Sequence, residues 1–194
     1  GLKIVAPSFA DDAKNLLISS IFDPNPVIFL EHRWLHGIKK KIIKKNKITK
    51  IGKAKICKTG KDFTIIAFSY LTLEAISAAK FLKKYYKIDC EVIDLRSIKP
   101  LDWNLVLRSV HKTGRVLVLD TGHETGSVAG EIITKIIMKK FYNLKSKPLA
   151  IVHSHPDCSS DPSDTDRQNC NFINLDYYIF SLPNKDLTIL RPNE

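Results

Sequence analysis

One methionine, two tryptophans and eight glycines are all that 194 residues contain of these types. The four cysteines, Cys57, Cys90, Cys158 and Cys170, stand far apart with no C-x-x-C pair. That spacing excludes a disulfide scaffold and a four-cysteine zinc site, and it fits reduced thiols in a cytoplasmic protein. No stretch approaches the ~18 consecutive apolar residues of a membrane span, and the N-terminus lacks a signal-peptide layout. The sequence opens on Gly1 and not on methionine, as a piece of a longer chain would. Acidic residues are also in deficit, 20 against 31 lysines and arginines, for a net charge of +11. Much of the excess lies between Lys39 and Lys55, in KKKIIKKNKITKIGKAK. Lysines neutralise phosphates, so a non-catalytic basic binding module is one reading. The run has no interleaved aromatics or arginines, however, and reads as a solvated linker with nucleic acid not expected.

What is present is apolar patterning, 44% of residues, enough to bury a core. Leu2–Val5 reads as a strand. Ser8 and Asp11 form a capping box for a helix from about Phe9 to Phe22, striped by Leu16, Leu17 and Ile21. Pro24 and Pro26 stop it, and Val27–Leu30, apolar throughout, reads as a buried parallel strand. After the linker, Ala54–Cys57 is an edge-strand candidate. Phe63–Phe68, Cys90–Leu95 and Arg115–Leu119 are apolar enough to be buried strands. Between them lie helical patterns over about Leu71–Tyr85 and from Asp102 to Gly114, and a further helix follows Ser127. Leu149–His153 closes the series. Strands alternating with helices predict a three-layer α/β/α domain.

The segments GLKIVAPSFADDAKNLL, DPNPVIFLEHRWLH, IGKAK, CEVIDLRSIKPLDW, SVHKTGRVLVLD and TGHETGSVAGEI follow one another in a recognisable order. Over residues 1–152 they resemble the C-terminal half of the beta subunit of the thiamine-diphosphate-dependent decarboxylase component of 2-oxo acid dehydrogenases, in the transketolase C-terminal domain family. The resemblance implies that residues 1–36 end a pyrimidine-binding domain and 37–50 form the basic linker. Residues 51–152 would be a transketolase C-terminal-like domain, a five-stranded mixed sheet with one antiparallel strand. It further implies an oxidoreductase or transketolase-type function in which this part serves subunit assembly. Thiamine diphosphate would be bound only in the assembled enzyme, with the cofactor's activating groups outside this stretch. The implied partners are an alpha-type subunit, a second copy of the chain and an acyltransferase core, with no membrane. Ser20 through its carbonyl, Asp23 and Asn25 match the family's monovalent-cation position, implying potassium. Alternatively, Asp23 and Asn25 simply end the helix. His32 and Arg33 match a loop that contacts anionic substrate in single-chain relatives; a surface arginine beside an interface is the plainer reading. Gly122–Gly130 lacks the spacing of a dinucleotide fingerprint, and the turn reads as structural.

The end of the chain, HSHPDCSSDPSDTD, carries different chemistry. His153 and His155, two apart in a strand, point to one side and can share a metal; Asp166 is the candidate third ligand. With DRQNC, LDYYIFSLP and LTILRP downstream, residues 149–192 resemble the C-terminal half of a JAB1/MPN zinc metallopeptidase of the phage-tail or bacterial type. That resemblance implies zinc at His153, His155 and Asp166, and an oxyanion-stabilising role for Ser163. It makes residues 153–194 a partial JAB1/MPN-like segment of a peptidase or isopeptidase whose general base is not identified. The alternative is that Ser163 and Asp166 form a helix-capping box and the histidines are solvated.

Overall fold

The computed structural model describes residues 1–39, 48–123, 125–143, 150–155, 161–162, 164–173, 176–181 and 187–193. For 139–143, 150–155, 165, 169, 171–173 and 176–181 it describes the backbone only. The chain divides into two compact units, Gly1–Ile136 and Ile137–Glu194.

In the first unit, β3 (Lys55–Lys58), β4 (Phe63–Ala67), β5 (Cys90–Asp94) and β7 (Val116–Val118) form a sheet in the order β3-β5-β4-β7. The β4–β5 and β4–β7 pairs are parallel and β3 runs antiparallel to β5, which gives the expected mixed sheet. Alternate side chains leave by opposite faces. Ile66 and Ile93 pack with Val106 and Val110 of α3 (Trp103–Thr113) and with Ile132 and Ile136 of α4 (Val128–Asn143). Ile65 and Val92 pack on the other side against Ala75 and Ala79 of α2 (Leu71–Tyr86). Helices thus cover both faces, which is why all five residues of β5 are buried. Two glycines serve this packing. A side chain at Gly60 would overlap the Cys90 carbonyl, and Gly114 ends α3 at φ 71° with its N–H on the Val110 carbonyl.

Several expectations are corrected by position in the sheet. The sheet has four strands among the described residues and not five, because β8 (Ala150–His155) pairs with β9 (Asp176–Ser181) in the second unit. Val116–Val118 of β7, expected to be buried, are half-buried, as suits a strand with one hydrogen-bonded neighbour. The same reason applies to β2 (Val27–Phe29), whose Ile28 is exposed along with Leu30 beyond it.

Lys3–Val5 is β1, parallel to β2 and antiparallel to β6 (Ser97–Lys99). Between β1 and β2 runs α1 (Ala10–Ile21), which buries Leu16 and Asp12 but leaves Leu17 and Ile21 exposed, so the expected three-residue stripe is reduced to one. Its capping box does not form, since the N-cap Phe9 makes no side-chain hydrogen bond. Ser8 is buried and donates instead to Thr72 Oγ1 at 2.9 Å, a contact 64 residues away that outcompetes the local one.

The second unit holds β8, α5 (Asp164–Ile173), β9 and β10 (Leu187–Leu190), with β8 and β9 parallel and β10 antiparallel to β9. Cys170 and Leu190 are buried there, and the Cys170 thiol donates to the Leu190 carbonyl.

Candidate functional site

Parallel β1 and β2 end side by side, and in open α/β sheets ligands collect beyond the carboxyl ends of such strands. Here that space is a cleft of about 400 Å³ lined by Pro7, Phe9, Glu31, His32, His36 and Leu73 among others. Its rim is the short 3-10 turn Arg33–Leu35, started by His32, whose Nδ1 accepts the Trp34 N–H at 3.3 Å. The His32 ring stacks on Tyr70 with centroids 5.1 Å apart, and Trp34 meets Tyr70 edge-on at 4.9 Å. A hydrogen bond to Glu74, with burial secondary, holds the Tyr70 phenol above its ordinary pKa. Of the expected pair, His32 therefore lines the cleft with its ring ordered, while Arg33 is exposed on the turn. Glu31 and His36 stand 3.9 Å apart, both well exposed.

Ser20, Asp23 and Asn25 come together at the end of α1. The Ser20 carbonyl accepts the Asp23 N–H at 3.4 Å, and Asp23 Oδ1 accepts from Asn25 N and Nδ2 at 3.0 and 3.2 Å. Asp23 Oδ2 lies 2.6 Å from Lys3 Nζ. The Lys3 hydrogen bond, then that of the Asn25 amide, hold the carboxyl below the usual carboxylate range. Both side-chain oxygens of Asp23 thus already accept from donors of this chain.

The zinc set is placed only in part. His153 and His155 occupy alternate positions of β8, hence one side of the strand, with side chains outside the described atoms. Asp166 lies in the first turn of α5 and is fully buried, and Ser163 falls outside the described residues. Among the described residues no group of three or more His, Cys, Asp or Glu could hold a metal. The Gly122–Gly130 turn is used internally. Asp120 accepts from Gly122 N at 2.9 Å and Ala129 N at 3.0 Å, and Ser127 Oγ accepts from Gly130 N at 2.9 Å, so these first-turn amides of α4 are already engaged.

Beside the cleft lies a polar cluster that sequence reasoning missed. Arg96, at φ 56°, donates to Asp12 Oδ1 at 2.8 Å and to the carbonyls of Lys53 and Ala54 at 3.0 and 3.3 Å. Lys55 takes the other Asp12 oxygen at 2.9 Å. Asp94, fully buried at the end of β5, accepts the Arg96 N–H at 3.1 Å. Burial pushes its carboxyl up to about 7, against the pull of the Arg96 amide. Burial, with Asp94 next, pushes the Cys57 thiol up to about 12, which makes it a poor nucleophile. The signal for this cluster was acids inside an otherwise apolar strand, Glu91 and Asp94 in CEVID. Glu91 is held from the other end by Ser109 and Lys112, and Thr64 Oγ1 lies 2.9 Å from Ser109 Oγ and 2.7 Å from Thr113 Oγ1.

Known proteins resemble this chain over most of its length. Residues 52–165 match the family model for the transketolase C-terminal domain. That match runs through residues 153–165, which the zinc-peptidase resemblance also claims. The chain is 43% identical over 152 residues to the pyruvate dehydrogenase E1 component subunit beta of Rickettsia bellii, covering 78% of this chain and 46% of that protein. The Rhizobium meliloti protein of the same name is 44% identical over 152 residues, 78% of this chain and 33% of its own length. The chain thus spans less than half the length of these curated relatives. A solved structure, "split gene transketolase, inactive beta4 tetramer", superposes with a TM-score of 0.60 at 22% identity, over 72% of this chain and 45% of that one, and shows the fold.

Proposed function

The chain belongs to the transketolase C-terminal domain family, and from that membership we propose that it is the C-terminal part of a beta-type subunit of a thiamine-diphosphate-dependent 2-oxo acid dehydrogenase. The carrying observation is the 152-residue stretch at 43–44% identity to two pyruvate dehydrogenase E1 beta subunits. The role is assembly. The three-layer body presents the β1–β2 cleft with His32 on its rim, and Arg33 and Lys39 nearby give that mouth positive charge suited to a carboxylate substrate. When bound in the assembled enzyme, thiamine diphosphate supplies carbanion stabilisation, and no residue of this chain is assigned to hold it. The chain alone is inactive in this reading. The partners are an alpha-type subunit, a second copy and an acyltransferase core. Potassium at the end of α1, held by the Ser20 carbonyl, Asp23 and Asn25, belongs to the proposal.

Co-expression with an alpha-type subunit and the remaining half of a beta subunit tests this, with one complex expected on size exclusion. Isothermal titration of the chain alone should show no tight binding of thiamine diphosphate with magnesium. Tight binding, or a chain that stays apart from both partners, would sink the proposal.

A second reading rests on the β8–α5–β9 unit. It sets His153 and His155 on one side of a strand and buries Asp166 in the helix that follows. Zinc on these residues would leave a fourth position for water, and a peptidase or isopeptidase would further need Ser163 at the oxyanion and a base that no motif supplies. Plasma emission should then find zinc, lost in a His153→Ala, His155→Ala double variant; a zinc-free wild type refutes it.

A further inference from the structure

The outer surface of α2 carries a motif that none of these functions uses, KFLKKYYK at residues 80–87. Phe81, Tyr85 and Tyr86 are 53%, 59% and 64% exposed, although α2 already buries Thr72, Ala75 and Ala79 against the sheet. The three rings form one cluster, with Phe81 centred 4.6 Å from Tyr85 and 6.0 Å from Tyr86. Lys80, Lys83, Lys84 and Lys87 surround them in sequence, and Lys84 Nζ stands 5.0 Å over the Tyr85 ring. A nearby carboxylate, Asp89, is shared at 3.0 Å by Lys58 and Lys83, so the surface around the rings stays positive.

We propose that this end of α2 is a docking surface for an acidic polypeptide segment that carries apolar side chains between its carboxylates. Single exposed apolar residues need no explanation, but contiguous aromatics inside a charged rim are the anatomy of a protein interface. The lysine rim selects the sign of the partner and speeds its encounter. The rings are tilted 43° and 47° to one another. They present a ridge between which aliphatic side chains wedge, and not the parallel open faces on which successive bases stack. A flat anionic membrane fits less well. Glu74, seven residues before Phe81 and so on nearly the same line of the helix, would be pressed against its headgroups. A segment crossing only the last turns of α2 avoids that carboxylate. The inference does not depend on the dehydrogenase assignment, because it rests on this surface alone.

Fluorescence anisotropy with the full chain and a labelled synthetic peptide of alternating Glu and Leu tests it, beside polyglutamate, oligodeoxythymidine and phosphatidylglycerol vesicles. The Glu–Leu peptide should bind. Affinity should fall by roughly tenfold or more both in Phe81→Ser/Tyr85→Ser/Tyr86→Ser and in Lys80→Glu/Lys84→Glu/Lys87→Glu. Circular dichroism should show both variants folded. Should a triple variant unfold, Tyr86→Ser alone, at the last residue of the helix, must still weaken the peptide. Equal binding of polyglutamate with no loss in the aromatic variant would reduce the surface to bulk charge and overturn the proposal. Tighter patch-dependent binding of the oligonucleotide or the vesicles would overturn it in favour of that occupant.

Discussion

Around β5, the side chains of Ile66, Ile93, Val106 and Ile132 meet each other dry, while around α1 the contacts are ionic: Asp12 between Arg96 and Lys55, and Lys3 on Asp23. Both regions lie within one compact unit. The central sheet satisfies its own apolar demand. The N-terminal β1–α1–β2 portion does not, for Ile21 and Phe22 remain 69% and 83% exposed. Apolar burial scales with area removed from water, whereas a charged clamp depends on geometry and on pH. Two regions of one body should therefore fail in different ways.

The largest effect is expected in the dry region. Ile93→Ala should cost roughly 2–5 kcal/mol in urea unfolding, because the cavity cannot collapse between two packed layers. A loss no bigger than that of a surface substitution would mean that the central sheet is not the more self-sufficient region. Next comes the clamp. Arg96→Ala should cost about 2–3 kcal/mol, since it leaves Asp12 and two carbonyls short of a charged donor. Its signature is local: amide exchange in α1 should rise more than in β4. Equal rises would show the two regions melting as one and erase the contrast.

A smaller effect sharpens the comparison through pH. Asp94 has its folded carboxyl raised to about 7, above its value of 3.8 in an unfolded chain. The folded state therefore holds the proton longer, and the stability tied to that proton is complete below pH 4. It drains away as pH rises towards 7 and changes no further above that. Asp94→Asn keeps an acceptor for Arg96 while removing the charge. It should melt higher than wild type at pH 8, by on the order of 1 kcal/mol or more, with the gap closing towards pH 4. A constant gap across that range would show that Asp94 does not titrate in the folded chain. The smallest effect concerns Asp23, whose carboxyl is lowered by Lys3 first and the Asn25 amide second. Its contribution is present above the ordinary carboxylate pKa and is lost as pH falls through the depressed folded value. In Lys3→Ala, the Asp23 titration followed by NMR should move up towards the ordinary carboxylate value. An unmoved midpoint would assign the shift to the turn alone.

Periodicity made the central strands legible. FTIIA and CEVID are short, apolar and bounded by turn residues, and β4 and β5 fall where those runs lie. The Asp102 and Gly114 signals bracket α3 because capping is local chemistry. Edge position was legible for β3, at Ala54–Cys57, but not for β2 and β7, since an apolar run looks the same with one neighbour or two. Ser8 shows the other limit. Its spacing to Asp11 matched a capping box, but a partner 64 residues away claimed its hydroxyl, and pair spacing carries no information about such a contact. Of the cleft lining, His32 was indicated by sequence, while Leu73 arrives from a distant helix and Tyr70, which stacks on the His32 ring, precedes that helix.

The hydroxyl row at the far end of β5 is ordered outward from its carboxylate. Ser109 gives its only proton to Glu91, so Thr64 gives its own to Ser109, while Thr113 has the Thr64 hydroxyl and the Ser109 and Arg115 carbonyls as acceptors. The Ser109 and Thr64 O–H dipoles then point at the buried carboxylate. Burial works to raise the Glu91 pKa, yet the donors Lys112 and Ser109 outweigh it and keep the group below its ordinary value. The row is a one-way polarised wire with its negative terminus at Glu91. Neutralising that terminus, as in Glu91→Gln, would remove the reason for the polarity, let the Ser109 and Thr64 hydroxyls reverse while Thr113 turns to the Ser109 or Arg115 carbonyl, and exchange one ordering for several of similar energy.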